Sequence, residues 1–172
     1  MAADEIIATL ISAFHNPSVD VRHDAIIKLA TCGGRAVAPL IKVLHETTDS
    51  DLRWYAAAAL ARIGEPAIKP LLAAMKKDLD TLFRKYAAAA LGEIGAPAVE
   101  PIIEAMAVDD RELRGFLSLA LCRIGKPAIG PLTQCLESSN EMIKSCATLT
   151  LWQMGEDGIG AIVKNANHGE NN

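Results

Sequence analysis

Few residues in this sequence have the types and the spacing that acid–base chemistry requires. His23 lies between Asp20 and Asp24, so one helical turn could bring an imidazole beside two carboxylates. Both acidic residues also fall near a predicted helix N-terminus, where carboxylates are favoured because they complement exposed backbone N–H groups. We interpret the cluster as a charged helix start, and the sequence predicts no catalytic residue.

Metal binding would need histidine, cysteine or acidic residues at close spacing. The four histidines fall in four different segments, and no glycine-rich phosphate loop is present. The cysteines have no Cys-x-x-Cys spacing and lie in apolar stretches, as buried structural thiols do. They are Cys32, Cys122, Cys135 and Cys146. The sequence therefore predicts no metal and no cofactor, with reduced thiols in a cytoplasmic protein.

Charge and composition disfavour several classes of protein. The 172 residues include 17 basic and 21 acidic side chains, a formal net charge of −4 that disfavours a nucleic-acid partner. No apolar run approaches the roughly 18 residues of a membrane helix, and the first residues lack the basic start of a signal peptide. Aromatic residues make up only 4% beside abundant alanine, leucine and isoleucine. This balance favours closely packed helices, so the predicted class is all-α.

A repeat of about 30 residues runs through the chain. Its clearest mark is a glycine after a large apolar residue, at spacings of 31, 31, 30 and 30 residues. The glycines are Gly33, Gly64, Gly95, Gly125 and Gly155. A leucine stands four positions before each glycine, and valine or isoleucine stands four positions after it. Equal spacing of apolar residues indicates one structural unit per period.

Each period contains two predicted helices. The first follows a capping residue, whose side-chain oxygen can accept a backbone N–H, and ends at the glycine, which is predicted to adopt a left-handed conformation. The second starts beside a proline, and we expect its regular hydrogen bonding to begin only near a second proline four residues on. The predicted caps are Ser18, Asp49, Asp80, Asp110 and Asn140. The predicted helix pairs are 3–14 with 19–32, 35–46 with 51–63, 66–77 with 81–94, 97–107 with 111–124, and 127–137 with 141–154.

Two successive periods carry a recognisable consensus. The segments LRWYAAAALARIGEPAIKPL and FRKYAAAALGEIGAPAVEPI resemble the HEAT-like repeat of the phycobilisome-lyase type. The resemblance implies a right-handed α-solenoid of about five helical hairpins that forms a single domain over residues 1–172. The repeats would span about 3–33, 34–64, 65–95, 96–125 and 126–155, followed by a capping helix near 157–166 and a disordered tail at 167–172.

The resemblance also implies which helices face inward. In such repeats the helix that ends at the glycine lines the concave side, and a basic residue in its first turn forms a ladder between repeats. The ladder residues here are Arg22, Arg53, Arg84, Arg114 and Lys144. Because they recur at a junction between repeats, we interpret them as structural rather than as a phosphate-binding row.

The positions that differ between repeats predict the binding surface. Aromatic side chains on the predicted concave side offer a large contact area at low entropic cost, with charged residues beside them for orientation. The predicted binding residues are Trp54, Tyr55, Arg62, Lys85, Tyr86, Glu93, Phe116, Leu119 and Arg123. Two alternatives stay open: the tyrosines and the phenylalanine could belong to the core, and the charged residues could form a surface ion-pair row.

The predicted function is a non-enzymatic scaffold or adaptor that binds a protein or peptide on this surface. A first alternative, implied by the resemblance alone, is a bilin- or tetrapyrrole-binding protein of the lyase type. A second is a structural module that self-associates. The predicted oligomeric state is a monomer or a weak homo-oligomer. Trp152 bears on the second alternative because its equivalents in the other repeats are alanine, glycine or cysteine.

Overall fold

A computed structural model of the protein describes residues 3–169, with side chains through Asn167. This part of the chain contains α-helices and short 3₁₀ turns and no strand, so the predicted all-α solenoid class is confirmed. The α-helices are α1 (Ala3–Ser12), α2 (Val19–Thr31), α3 (Gly34–Glu46), α4 (Ser50–Ile63), α5 (Glu65–Lys77), α6 (Thr81–Ile94), α7 (Val99–Ala105), α8 (Arg111–Ile124), α9 (Lys126–Gln134), α10 (Glu141–Gln153) and α11 (Glu156–Gly169). The 3₁₀ turns are Ala13–His15, Ala96–Ala98 and Cys135–Glu137.

The chain divides between Ile94 and Gly95 into two compact units. In the first unit, α4 packs against α2, α3 and α6. In the second unit, α10 packs against α8, α9 and α11. The single domain over residues 1–172 stays a prediction. No helix between residues 3 and 169 is long and apolar enough to cross a membrane.

A glycine with a positive φ joins the two helices of each period. At Gly64 (φ 81°, ψ −138°) the backbone N–H donates to Leu60 at 3.2 Å and the carbonyl accepts from Ala67 at 2.9 Å. One residue therefore ends α4 and starts α5. The predicted positive φ is present, but ψ places the residue in the mirror image of the extended region rather than in the left-handed helical region, because the chain must leave one helix and enter the next at once.

Four of the five predicted caps accept backbone N–H groups through their side chains. Asp49, Asp80, Asp110 and Asn140 do so at the starts of α4, α6, α8 and α10. Ser18 makes no such bond, although its own N–H donates to the residue two positions earlier, as those of Asp49, Asp80 and Asn140 also do.

The expectation about the second proline is wrong for three of the four helices. In α3, α5 and α9 the helix is regular from its first turn, and the proline is its sixth residue. Pro70, for example, follows a turn already closed by the bond between Ala67 and Gly64. Only α7 begins after a 3₁₀ turn, at Ala96–Ala98. The proline removes one hydrogen bond near the helix start, where few exist.

The buried residues of the core recur at equivalent positions of the repeat. The leucine four positions before each glycine is completely buried in all five periods. Phe83 and Leu113, in the first apolar column of the glycine-ended helices, are also buried, whereas Val21 is 39% exposed. Leu52 and Ile143 in the same column are half-buried.

The last helix is longer than predicted. α11 continues to Gly169, so the first three residues of the predicted disordered tail are helical, and residues 170–172 lie outside the described residues. α11 packs against α9 and α10. Gly158 lies so close to α10 that a Cβ there would be 1.9 Å from the carbonyl oxygen of Leu151.

Candidate binding surface

The arginines of the predicted ladder share one contact within their own repeats. Each guanidinium donates to the backbone carbonyl six residues earlier, which closes the loop before the helix. Arg53 reaches Thr47 at 2.8 Å, Arg84 reaches Asp78 at 2.8 Å, and Arg114 reaches Val108 at 2.6 Å. Arg22 bonds Asn16 in the same way. Lys144 is exposed, and no described residue pairs with its ammonium group.

Two of these arginines also connect neighbouring repeats of the first unit. The Nη1 of Arg53 donates to Asp80 at 2.7 Å, and Asp80 in turn caps α6 by accepting from Leu82 and Phe83. The Nε of Arg22 donates to the hydroxyl oxygen of Tyr55 at 2.7 Å. These contacts occupy the cations within the fold and support their structural interpretation.

The pKa of Asp80 lies below its ordinary value, chiefly because of the hydrogen bond from Arg53, with burial acting in the opposite direction. A carboxylate with a lowered pKa contributes its full stabilisation above the unfolded-state pKa of about 3.9 and loses that contribution as the pH falls from there through the lower pKa of the folded state. The pair is partly exposed, so its contribution is about 1 kcal/mol or less.

We therefore expect Asp80→Asn to reduce the loss of stability between neutral pH and about pH 3. Urea midpoints at both pH values measure the effect. Asp51→Asn, an exposed carboxylate on α4, is the control and should leave the acid sensitivity of the wild type unchanged. Equal acid sensitivity in wild type and Asp80→Asn would contradict the assignment.

Trp54 and Tyr55 have different roles although they are adjacent. The Tyr55 ring is half-buried, with its centroid 5.5 Å from that of Phe14 and 5.4 Å from the Cζ of Arg22. The Trp54 ring packs edge-on against Tyr55, with centroids 5.2 Å apart at 83°. Trp54 nevertheless remains 51% exposed. Tyr55 thus belongs largely to the packing between α2 and α4. Its ring also contacts the exposed indole ring of Trp54.

The exposed side of α2, α4 and α6 forms what we call the Trp54 face. Its apolar and aromatic members are Ile27, Trp54, Leu82 and the half-buried Tyr86. The charged members are Arg62, Lys85 and Glu93, all of them exposed. Ala58 lies four residues after Trp54 and Ala89 three residues after Tyr86, and both alanines are half-buried. The first unit therefore holds six of the nine predicted binding residues.

The other three predicted residues lie on α8 in the second unit. Phe116 is half-buried, Leu119 is 60% exposed, and Arg123 is exposed. Leu149 on α10 is the structural equivalent of Leu119 in the next repeat and is also exposed.

A buried polar network in the second unit was missed from the sequence. The hydroxyl of Ser118 lies 2.8 Å from that of Thr150 and donates to Gln153 at 2.8 Å, which connects α8 to α10. The available signal was a serine in a column that holds the apolar Ile26, Ala57 and Ala88 in the three preceding repeats.

The residues considered for acid–base chemistry do not come together. Asp24 forms an ion pair with Lys28 at 2.6 Å, and His23 is exposed without a described partner. His45 bonds Asp78 in the loop before α6. Burial raises the pKa of the thiols of Cys122, Cys135 and Cys146, which disfavours the reactive thiolate.

Stacked helical hairpins joined by positive-φ glycines and clamped by a recurring arginine define a helical-repeat protein. The family model for HEAT repeats matches residues 7–92, 37–118 and 68–151, which together cover most of the chain. The chain belongs to the HEAT-repeat family. The match does not distinguish the phycobilisome-lyase type from other HEAT repeats.

Solved structures similar to this chain include engineered repeat proteins. One engineered protein is 23% identical over 94% of this chain and 85% of its own, with a TM-score of 0.36. Computationally designed armadillo repeat proteins for modular peptide recognition are 19% identical over 91% of this chain and 90% of theirs, with a TM-score of 0.33. None of the curated protein sequences matches significantly.

Proposed function

We propose that this protein is a non-enzymatic scaffold that binds a protein or peptide segment on the Trp54 face. The observation that carries the proposal is Trp54 itself, a large aromatic side chain that is half exposed yet held in place by Tyr55. A fixed aromatic ring loses little conformational entropy on binding, which is why tryptophan is common among residues that dominate binding energy.

The surroundings of Trp54 suit an extended segment of a partner. Tyr86 offers a second aromatic surface on the neighbouring helix. Arg62, Lys85 and Glu93 carry both signs of charge and would orient the segment rather than supply most of the affinity. In the second unit we propose that Phe116, Leu119 and Arg123 make further contacts. The free cysteines support a cytoplasmic location.

The test uses peptides selected on the wild-type protein from a phage-displayed random library. We expect Trp54→Ala to weaken a selected synthetic peptide by about 30-fold, the loss of roughly 2 kcal/mol that defines a dominant contact. Tyr86→Ala should weaken it by a smaller factor. Isothermal titration calorimetry gives the affinities, and thermal unfolding verifies that each variant is folded.

Trp152→Ala is the matched control because Trp152 is an exposed tryptophan of the other unit. It should leave the affinity unchanged. If Trp54→Ala binds the selected peptides as tightly as wild type, the Trp54 face is not the binding surface. If Tyr86→Ala lowers stability without changing affinity, Tyr86 belongs to the core.

A further inference from the structure

Contacts between successive repeats run in one direction along the chain. On a glycine-ended helix, we call the ladder residue and the residues four and eight positions later the leading row; on α2, α4 and α8 this row faces the following repeat of the same unit. We call the residues two, six and nine positions after the ladder residue the trailing row; on α4, α6 and α10 this row faces the preceding repeat of the same unit. Arg22 with Tyr55, and Ser118 with Thr150 and Gln153, are leading-to-trailing contacts within the first and second unit respectively.

The leading row of α10 is uncovered. It consists of Lys144, Thr148 and Trp152, all exposed, with Trp152 at 66%. The equivalents of Thr148 in both units, Ala57 and Ser118, are buried. Helix α11 extends this surface with Ile159 and Val163, the latter 52% exposed. Their equivalents on α5 and α7 are buried, namely Ile68, Leu72, Val99 and Ile103, whereas those on α9, Ile129 and Thr133, are half-buried.

The trailing row of α2 is uncovered as well. It consists of Asp24, Lys28 and Thr31, all exposed. The equivalents of Lys28, Ala59 in the first unit and Thr150 in the second, are completely buried. Two apolar residues, Ile6 on α1 and Val21 on α2, are exposed, whereas Ala36 and Phe83 in the corresponding columns are completely buried; Leu52 and Ile143 in the column of Val21 are half-buried.

We propose that these two surfaces bind each other between copies of this chain, so that the trailing surface of one copy docks on the leading surface of another. Within the units, the leading rows of α2, α4 and α8 already pack against the trailing rows of α4, α6 and α10, so the same register is available between copies. That register places Lys144 beside Asp24 of the second copy, where Arg22 meets Tyr55 within the chain. The charges are opposite, and the apolar residues of α10 and α11 would cover Ile6 and Val21.

This interface is heterologous: the two contacting surfaces differ, and each copy retains one of them unused. Assembly is therefore expected to continue beyond the dimer as the protein concentration rises. The proposal is independent of peptide binding on the Trp54 face, since it uses neither Trp54 nor Tyr86.

The experiment blocks one surface at a time. Trp152→Glu places a carboxylate on the leading surface, and Ile6→Glu combined with Asp24→Lys blocks the trailing surface; all three positions are exposed. Sedimentation velocity up to about 1 mM, the weak end of the affinity scale, should show the wild-type mass rising with concentration. Each blocked variant alone should remain a monomer. An equimolar mixture of the two should form a dimer and grow no further, because each partner supplies the surface that the other lacks.

Charge-reversal variants test the proposed pairing of Lys144 with Asp24 of the second copy. Lys144→Asp and Asp24→Lys should each weaken association by about threefold, the effect of an exposed ion pair, and the double variant should regain the wild-type level. A wild type that stays monomeric over the whole concentration range would overturn the proposal. So would a trailing-surface variant that dimerises alone as strongly as wild type, since this would mean symmetric pairing of leading surfaces. Circular dichroism and peptide binding verify that every variant is folded.

Discussion

Replacing Gly158 with alanine is expected to lower the free energy of unfolding by about 3 kcal/mol, the upper end of the range for an overpacked contact. The new Cβ would lie 1.9 Å from the carbonyl oxygen of Leu151 and 2.8 Å from its carbonyl carbon. Both are backbone atoms of α10, so no side chain can rotate away to relieve the contact. Helix α11 would have to move off α10, which exposes the buried Leu151.

Gly160→Ala is the matched control for this prediction. Gly160 lies in the same helix, and a Cβ there would meet no atom within 4 Å. Alanine in an open helical position should stabilise the protein by up to about 1 kcal/mol, because it restricts the unfolded chain and favours the helix. Urea unfolding followed by circular dichroism should therefore shift in opposite directions for the two variants. A shift of the same sign and size would mean that Gly158 is not a packing position.

Arg84→Met is expected to cost about 3 kcal/mol, the upper end of the range for a hydrogen bond from a charged donor, because the single N–H of its Nε is shared between two carbonyls. The Arg84 side chain is 1% exposed, and its Nε donates to the carbonyls of Met75 at 3.2 Å and Asp78 at 2.8 Å. Methionine keeps much of the apolar volume but leaves both carbonyl oxygens without this donor. Loss of the clamp should free the loop between α5 and α6.

Arg62→Met provides the comparison, because Arg62 is an exposed arginine on α4. Its stability should remain within about 0.5 kcal/mol of wild type, as is usual for surface substitutions. Chemical denaturation gives the free energies, and hydrogen exchange of the amides near Asp78 reports on the loop. If the two arginine variants lose similar stability, the buried hydrogen bonds of Arg84 contribute little.

The sequence predicted the helices well because each boundary has a local chemical cause. Asp49 and Gly64 bracket α4, and both residue types act on their own backbone neighbours, so no knowledge of distant contacts is needed. Ser18 shows the limit of such local reasoning: its residue type suits a cap, and its N–H bonds the residue two positions earlier as in Asp49, Asp80 and Asn140, yet its side-chain cap does not form.

The candidate surface depended on contacts that spacing alone does not define. Trp54 and Tyr55 are neighbours in sequence and were predicted together, yet Arg22 and Phe14 from the preceding repeat hold Tyr55 while Trp54 remains exposed. The division between Ile94 and Gly95 was equally hidden, because the repeat pattern continues across it without interruption. Both features arise from packing between repeats.

The arginine clamp has a consequence for how such a gene can change length. Because Arg53, Arg84 and Arg114 each bond a carbonyl six residues earlier, donor and acceptor are encoded within a single period. Unequal crossing-over that duplicates one period would add a hairpin that brings its own loop closure, and a deletion would remove both partners together. Insertions and deletions of whole periods should thus be tolerated in descendants of this gene far more readily than those of any other length.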